Sequence, residues 1–255
     1  MFLWWRNRRR AKLKQQAFPP AWETIMRQNM PYYQHLSPED QKLLQGHVQV
    51  FCAEKDFIGA QGIEITDEIR ITIAAGACLL LLHNPGDYYP TLNTIIVYPE
   101  AYLAVTTKVL PGGFIEEKQQ LRAGESWHRG QVVLSWDDVR RGAADIRDGK
   151  NVIYHEFAHQ LDSLYGDTDG VPSLDKHSLF GPWAQVLGEE YTRLVADIEA
   201  HRPSFIDSYG GTNPAEFFAV ITEAFFEKPK ALHRHNPELY ALLAAFYRQD
   251  PRQRY

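Results

Sequence analysis

The chain has 255 residues, of which 44% are hydrophobic and 23% charged. That is enough apolar material for one sizeable core, and it excludes a chain that is disordered throughout. The formal charge of −5 argues against direct nucleic-acid binding, which ordinarily goes with a basic domain.

Residues 1–20 open with "MFLWWRNRRRAKLK" and close with "FPP". Apolar residues precede the charges here, the reverse of a secretory signal, so a cytoplasmic location is expected. The segment reads as a mobile, solvated arm in front of a single domain over residues 21–255. A second reading is weak attachment to an anionic membrane surface. In it Trp4 and Trp5 sit at the interface beside Arg6, Arg8, Arg9, Arg10, Lys12 and Lys14.

Ser37 and Pro38 form an N-terminal helix signal, and Leu44, Val48 and Phe51 recur at helical spacing, which predicts a helix over 37–54. The apolar run 71–83 is too short to span a bilayer, which takes about 20 apolar residues, and reads as a buried helix. Cys52 and Cys78 lie in these apolar stretches and outside any C-x-x-C pair. They read as reduced, buried thiols in a reducing compartment, not as zinc ligands. A Pro-Gly turn at 85–86 leads to "NTIIVYP" (93–99), a β-branched strand that ends at proline; "YLAV" is a further strand candidate, and so is "GQVVLSWDDV" over 130–139.

The segment "NVIYHEFAHQLD" predicts a helix over 150–165, with Val152, Ile153, Phe157, Leu161 and Leu164 on its apolar face and Gly166 as its stop. A loop follows at 166–172, then a helix over 182–200 and the turn "YGGTNP". A strong helix comes next, capped by Asn213, opened by Pro214 and ended by Pro229, and a final helix runs over about 236–249. The pattern is α+β, with a helical N-terminal part and a small mixed sheet.

Residues i and i+4 of a helix share a face, so His155 and His159 can reach one ion, with Glu156 turned about 100° aside. This is the H-E-x-x-H arrangement of two ligands and a general base. Catalytic zinc takes three protein ligands and keeps a position for water, whose proton the glutamate can accept. No further histidine follows at metzincin spacing. Glu216, in the first turn of the helix after Asn213, is the candidate third ligand. Glu223, seven residues on, shares its face and can support a liganded histidine, and Asp162 lies on the histidine face of its own helix and can do the same. Tyr209, in the glycine turn seven residues before Glu216, is placed to hydrogen-bond an oxyanion.

Two other readings stand beside this one. Glu156 and His159, with Glu125 and His128, have the Glu-x-x-His spacing of di-metal carboxylate bundles, although glycines flank the second pair. A protein that keeps a zinc site mainly to present a surface to a regulator would carry the same ligands.

"HEFAHQLD" followed by "YGGTNPAEFFAVITEAFF", with "GESW…GQVVLSWDDV" before them, resembles the Mlc titration factor A family of bacterial zinc peptidases over residues 30–250. The tyrosine, the seven-residue step and the "EFFA" helix are also similar to the catalytic domain of anthrax lethal factor, a more distant gluzincin. The resemblance implies a zincin-like domain with one Zn2+ per chain, held by His155, His159 and Glu216, with Glu156 as base and Tyr209 supporting the transition state. It further implies a cytoplasmic, aminopeptidase-type enzyme acting on peptides, and binding to a repressor of the Mlc type. Zinc peptidases commonly hold substrate as an added strand on a sheet edge. Gln131, Val132, Val133 and Leu134 are expected to form that edge.

Overall fold

In a computed structural model, residues 2–109, 115–122, 124–127, 130–163, 170, 172 and 180–254 are described. The chain opens with helices α1 (Phe2–Gln15), α2 (Pro20–Asn29), α3 (Pro31–Gln34) and α4 (Pro38–Glu54). Ser37 caps α4 by accepting the Asp40 amide, as its Ser-Pro start predicts. Strand β1 (Asp56–Gly59) leads to α5 (Asp67–Leu80) and β2 (Thr94–Tyr98). Thr66 caps α5, so this helix starts four residues before the apolar run that predicted it.

Strands β3 (Tyr102–Val109) and β4 (Ile115–Arg122) pair with each other as an antiparallel ladder, and β5 (Gly124–Trp127) and β6 (Gln131–Ser135) follow. The main sheet has the order β1-β2-β6-β5, parallel through β6 and antiparallel at β5. This agrees with the expected α+β class and small mixed sheet. The segment 130–139 divides at Ser135, whose hydroxyl accepts the Asp138 amide and starts α6 (Trp136–Ala144).

The remaining helices are α7 (Val152–Asp162), α8 (Phe180–Glu199), α9 (Pro214–Glu227), α10 (Pro229–His235) and α11 (Pro237–Tyr247). Leu164, Gly166 and His128 lie outside the described residues, as does most of the loop 166–172.

Helix α5 is the axis of the core. Ile69 and every residue from Ile71 to Leu80 are buried, so α5 is covered on all sides, as expected of a helix that is apolar all round. Gly76 lets the motif helix α7 approach it, since a Cβ there would stand 2.8 Å from the Ile153 side chain. On its other side α7 packs against α9, which stacks Phe217, Phe218, Phe225 and Phe226 in the interior. The two helices that carry the candidate ligands are therefore held by the core itself.

Two expectations are corrected. Residues 2–15 are a helix docked on α4, not a mobile arm. Arg10, 8% exposed, forks onto Glu54 at 2.8 and 2.7 Å and reaches Asp87 at 2.8 Å. Its guanidinium also lies 4.8 Å from the centre of the Tyr88 ring. The basic run thus contains an internal anchor, which its composition conceals. Strand β6 is interior, flanked by β2 and β5, with Val132 and Leu134 fully buried. Gln131, Val132, Val133 and Leu134 therefore do not form an edge, and among the described residues β5 is the terminal strand on that side of the sheet.

Candidate metal centre

Asn151 starts the motif helix. Its side-chain oxygen accepts the amides of Ile153 and Tyr154, so the first turn of α7 is fixed and His155 and His159 project one turn apart on one face. Asn213 does the same for α9 by accepting the Glu216 amide at 2.9 Å, with Pro214 at the first helical position. This sets the angular position of Glu216 in the first turn.

The two helices bring three donors together. His155 Nε2 lies 2.9 Å from Glu216 Oε2, His159 Nε2 lies 3.5 Å from the same oxygen, and the two Nε2 atoms are 3.3 Å apart. A tetrahedral zinc site with bonds of about 2.0–2.1 Å has donor–donor edges of about 3.3–3.4 Å. The two distances from His159 lie close to that edge and the His155–Glu216 distance is shorter. With a small opening of that pair the two imidazole nitrogens and the carboxylate oxygen would form one face of such a tetrahedron, a donor set suited to zinc. Among the described residues this is the group able to hold a metal ion.

The field around the group favours positive charge. Burial alone would lower the His155 pKa, but hydrogen bonds to Glu216 and Glu223, reinforced by the charges of Glu223 and Glu156, raise it well above the ordinary histidine value. For Glu216 burial pushes the pKa up, and the contacts with His155 and His159 outweigh it and hold the carboxyl well below its usual range.

Glu223 sits behind the candidate ligands. One oxygen meets His155 Nδ1 at 2.7 Å and the other accepts the Asn151 amide at 2.6 Å. When the ring is neutral, a proton on Nδ1 in the first contact leaves the Nε2 lone pair for a metal. Asp162 is buried, and its Oδ2 accepts the Gly170 amide at 3.0 Å. Gly170 packs so closely on Pro214 that a Cβ would stand 2.5 Å from the Pro214 carbonyl oxygen. Asp162 thereby ties the end of α7 to the start of α9. Glu156 is 5% exposed and lies near enough to His155 to add to its field.

Tyr209 occupies a 3₁₀ turn, Ser208–Gly211, that Asp207 caps through the Tyr209 amide. Gly211 permits the turn to sit on α8, where a Cβ would stand 2.4 Å from Ile198. The Tyr209 ring is 5.9 Å from the His155 ring, centre to centre, and the side chain is 54% exposed. It faces a cavity of ≈ 500 Å³ that Val152, Val220, Glu223, Lys150 and Asp207 also line.

Sequence reasoning missed Glu227. This buried residue accepts the Lys150 amide at 3.0 Å and the Asn151 side-chain amide at 3.0 Å. Burial, with Asp148 and Glu223 close by, pushes its pKa up to about 9. The signal was available, since residues 216, 223 and 227 fall within about 40° of one another on a helical wheel. For the rival di-metal site, residue 125 stands in strand β5, where the i, i+3 pairing with His128 on one helical face does not arise.

Comparison with known proteins gives relatives over most of the chain. The chain is 41% identical to an uncharacterized protein of Synechocystis, over 97% of this chain and 90% of that protein. It is 31% identical to Mlc titration factor A of Klebsiella pneumoniae, over 91% of this chain and 87% of the relative. For Mlc titration factor A of Salmonella arizonae the identity is 29%, over 88% and 90%. Residues 2–248 match the family described as glucose-regulated metallo-peptidase M90, and with its paired histidine and glutamate helices the chain belongs to that family.

Proposed function

We propose that the protein is a zinc-dependent peptidase of the gluzincin type on a zincin-like fold, with aminopeptidase-type activity. The observation that carries this reading is the convergence of His155, His159 and Glu216 from two core-held helices, with Glu156 buried beside them. These three residues hold one Zn2+ per chain. When bound, the ion acts as a Lewis acid that makes water acidic enough to ionise near neutral pH and polarises the scissile carbonyl. Glu156 takes the proton from the attacking water and passes it to the leaving amine. Glu223 keeps His155 in the tautomer that presents Nε2, and Asp162 steadies the joint between the two ligand helices. Tyr209 donates its phenol proton in a hydrogen bond to the oxyanion. The peptide lies along the outer side of β5, the terminal strand, since β6 is interior and contributes by holding β5 in place.

A second role rests on the relatives named Mlc titration factor A. A repressor of the Mlc type is the partner it would bind, with no direct contact to nucleic acid. The unpaired Cys52 and Cys78, with burial pushing the Cys52 thiol up to about 12, suit a reducing cytoplasm. No helix among the described residues is long and apolar enough to cross a membrane.

Glu156→Gln separates the two roles. Zinc content and capture of an Mlc-type repressor should persist, while peptide hydrolysis falls by at least about 10²-fold, the usual share of general acid–base catalysis. Hydrolysis at the wild-type rate would remove Glu156 as the base and leave the regulator-binding reading the better one.

A further inference from the structure

Helix α1 is two-sided in a way that its role as an anchor does not explain. At 100° per residue, Trp4, Trp5, Arg8, Arg9 and Lys12 fall within an arc of about 140°, and Arg6, Arg10, Leu13 and Lys14 fill the opposite side. The structure separates the two groups accordingly. On the inner side Arg10 is buried against Glu54 and Asp87, Arg6 reaches Asp87 at 2.6 Å, and Leu13 packs on the core. Lys14 lies 5.5 Å from the centre of the Tyr88 ring and against Gly46. On the outer side Trp4 is 56% and Trp5 60% exposed, and Arg8, Arg9 and Lys12 are exposed beside them, with Arg9 also donating to the Ala53 carbonyl at 3.3 Å. The acidic groups that pair with the helix, Glu54 and Asp87, are engaged by Arg6 and Arg10 on its inner side.

The outer residues form one continuous surface. The two tryptophan rings meet edge to face at 5.1 Å, and Arg8 covers the Trp4 ring at 5.2 Å. A shallow groove runs between Trp5, Arg8, Arg9, Lys12 and Gln15. Two large amphipathic rings beside three cations match the boundary of an anionic bilayer, where indole rings settle at headgroup depth and cations meet lipid phosphates. Two exposed tryptophans cost solubility unless something covers them, and the charge beside them selects a negative partner.

We propose that the outer face of α1 is a preformed docking surface for anionic phospholipid membranes. Because Arg6 and Arg10 fix the helix to the body, docking needs no folding step, and it holds the enzyme peripherally. Each cation near an anionic surface strengthens binding about fivefold. The three together contribute about a hundredfold, and the contribution shrinks as salt rises.

The test is co-sedimentation of the full chain with vesicles of phosphatidylcholine alone and of phosphatidylcholine with phosphatidylglycerol, followed by tryptophan emission. The expected result is binding to the anionic vesicles, with a blue-shifted emission and marked loss between 0.05 and 0.5 M salt on the order set by screening. R8Q/R9Q/K12Q should weaken it about a hundredfold. W4S/W5S should weaken it and abolish the blue shift. All five side chains are on the surface and the one bond from Arg9 to the Ala53 carbonyl is exposed, so the melting temperature should stay close to the wild-type value; if the tryptophan variant unfolds, the charge variant carries the test. Equal binding to both vesicle types, no binding to either, or unchanged binding by R8Q/R9Q/K12Q would overturn the proposal. So would tighter binding to a duplex DNA fragment than to the anionic vesicles at equal salt.

Discussion

Replacing Glu223 with glutamine changes one atom type and sets two demands against each other. The wild-type carboxylate serves two donors, His155 Nδ1 at 2.7 Å and the Asn151 amide at 2.6 Å. A glutamine has a single acceptor, so its NH2 group must face one of these N–H groups. If it faces His155, the ring escapes the clash by moving its proton to Nε2. That is the atom 2.9 Å from Glu216 and 3.3 Å from His159 Nε2, and a protonated nitrogen cannot ligate. If it faces Asn151, a buried amide at the start of α7 loses its partner, at a cost of about 1–3 kcal/mol. Zinc affinity should fall about 10–100-fold, equal to about 1.4–2.7 kcal/mol. The melting temperature of the metal-free protein should drop by about 2–4 °C for each kcal/mol lost. Competition with a chromogenic zinc chelator reads the first quantity and a thermal melt in chelator reads the second. Wild-type affinity together with a wild-type melt would refute the assignment of Glu223 as the residue that orients His155.

Tyr209→Phe should leave zinc content and the melt unchanged and slow peptide turnover about 10- to 10³-fold; unchanged turnover would make Tyr209 a bystander on the cavity wall. Arg10→Ala should destabilise the fold by about 3 kcal/mol in urea titration, the low end for a broken buried ion pair because Asp87 is 40% exposed and stays solvated. A shift below about 0.5 kcal/mol, the range of ordinary surface changes, would show that α1 is not anchored there. Glu227 gives a pH dependence. Burial first, then the charges of Asp148 and Glu223, raise its folded pKa to about 9 from an ordinary 4.5. The folded state therefore holds this proton more tightly than the unfolded chain, and the resulting stability is full below pH 4.5 and is lost as pH rises through 9. Glutamine does not titrate, so the stability difference between wild type and Glu227→Gln should move against the wild type from pH 5 to pH 9 in urea unfolding. A difference independent of pH would mean that Glu227 is ionised throughout.

Much of the centre could be read from local sequence because local rules govern helices. The spacing of His155 and His159 puts both on one face whatever surrounds them, and Asn213-Pro214 marks a helix start, which makes Glu216 a first-turn residue. Ser37-Pro38 marks α4 in the same way. The convergence of the donors is another matter. Glu216 lies 61 positions from His155, and only the packing of α7 on α9, with α5 backing α7, brings the two within bonding distance of one ion. Burial likewise decides the roles of Glu227 and Arg10. Glu227 carries no local motif and Arg10 reads as part of a solvated arm, yet each is fixed by partners distant in sequence, Lys150 and Asn151 for the one, Glu54 and Asp87 for the other. Strand β6 shows the same limit, since its β-branched pattern announces a strand but not its neighbours. Periodicity and capping act over a few residues and are legible in one dimension. Strand order, ion-pair partners and the meeting of two helices depend on which surfaces the whole core buries against each other, and only the tertiary structure decides that.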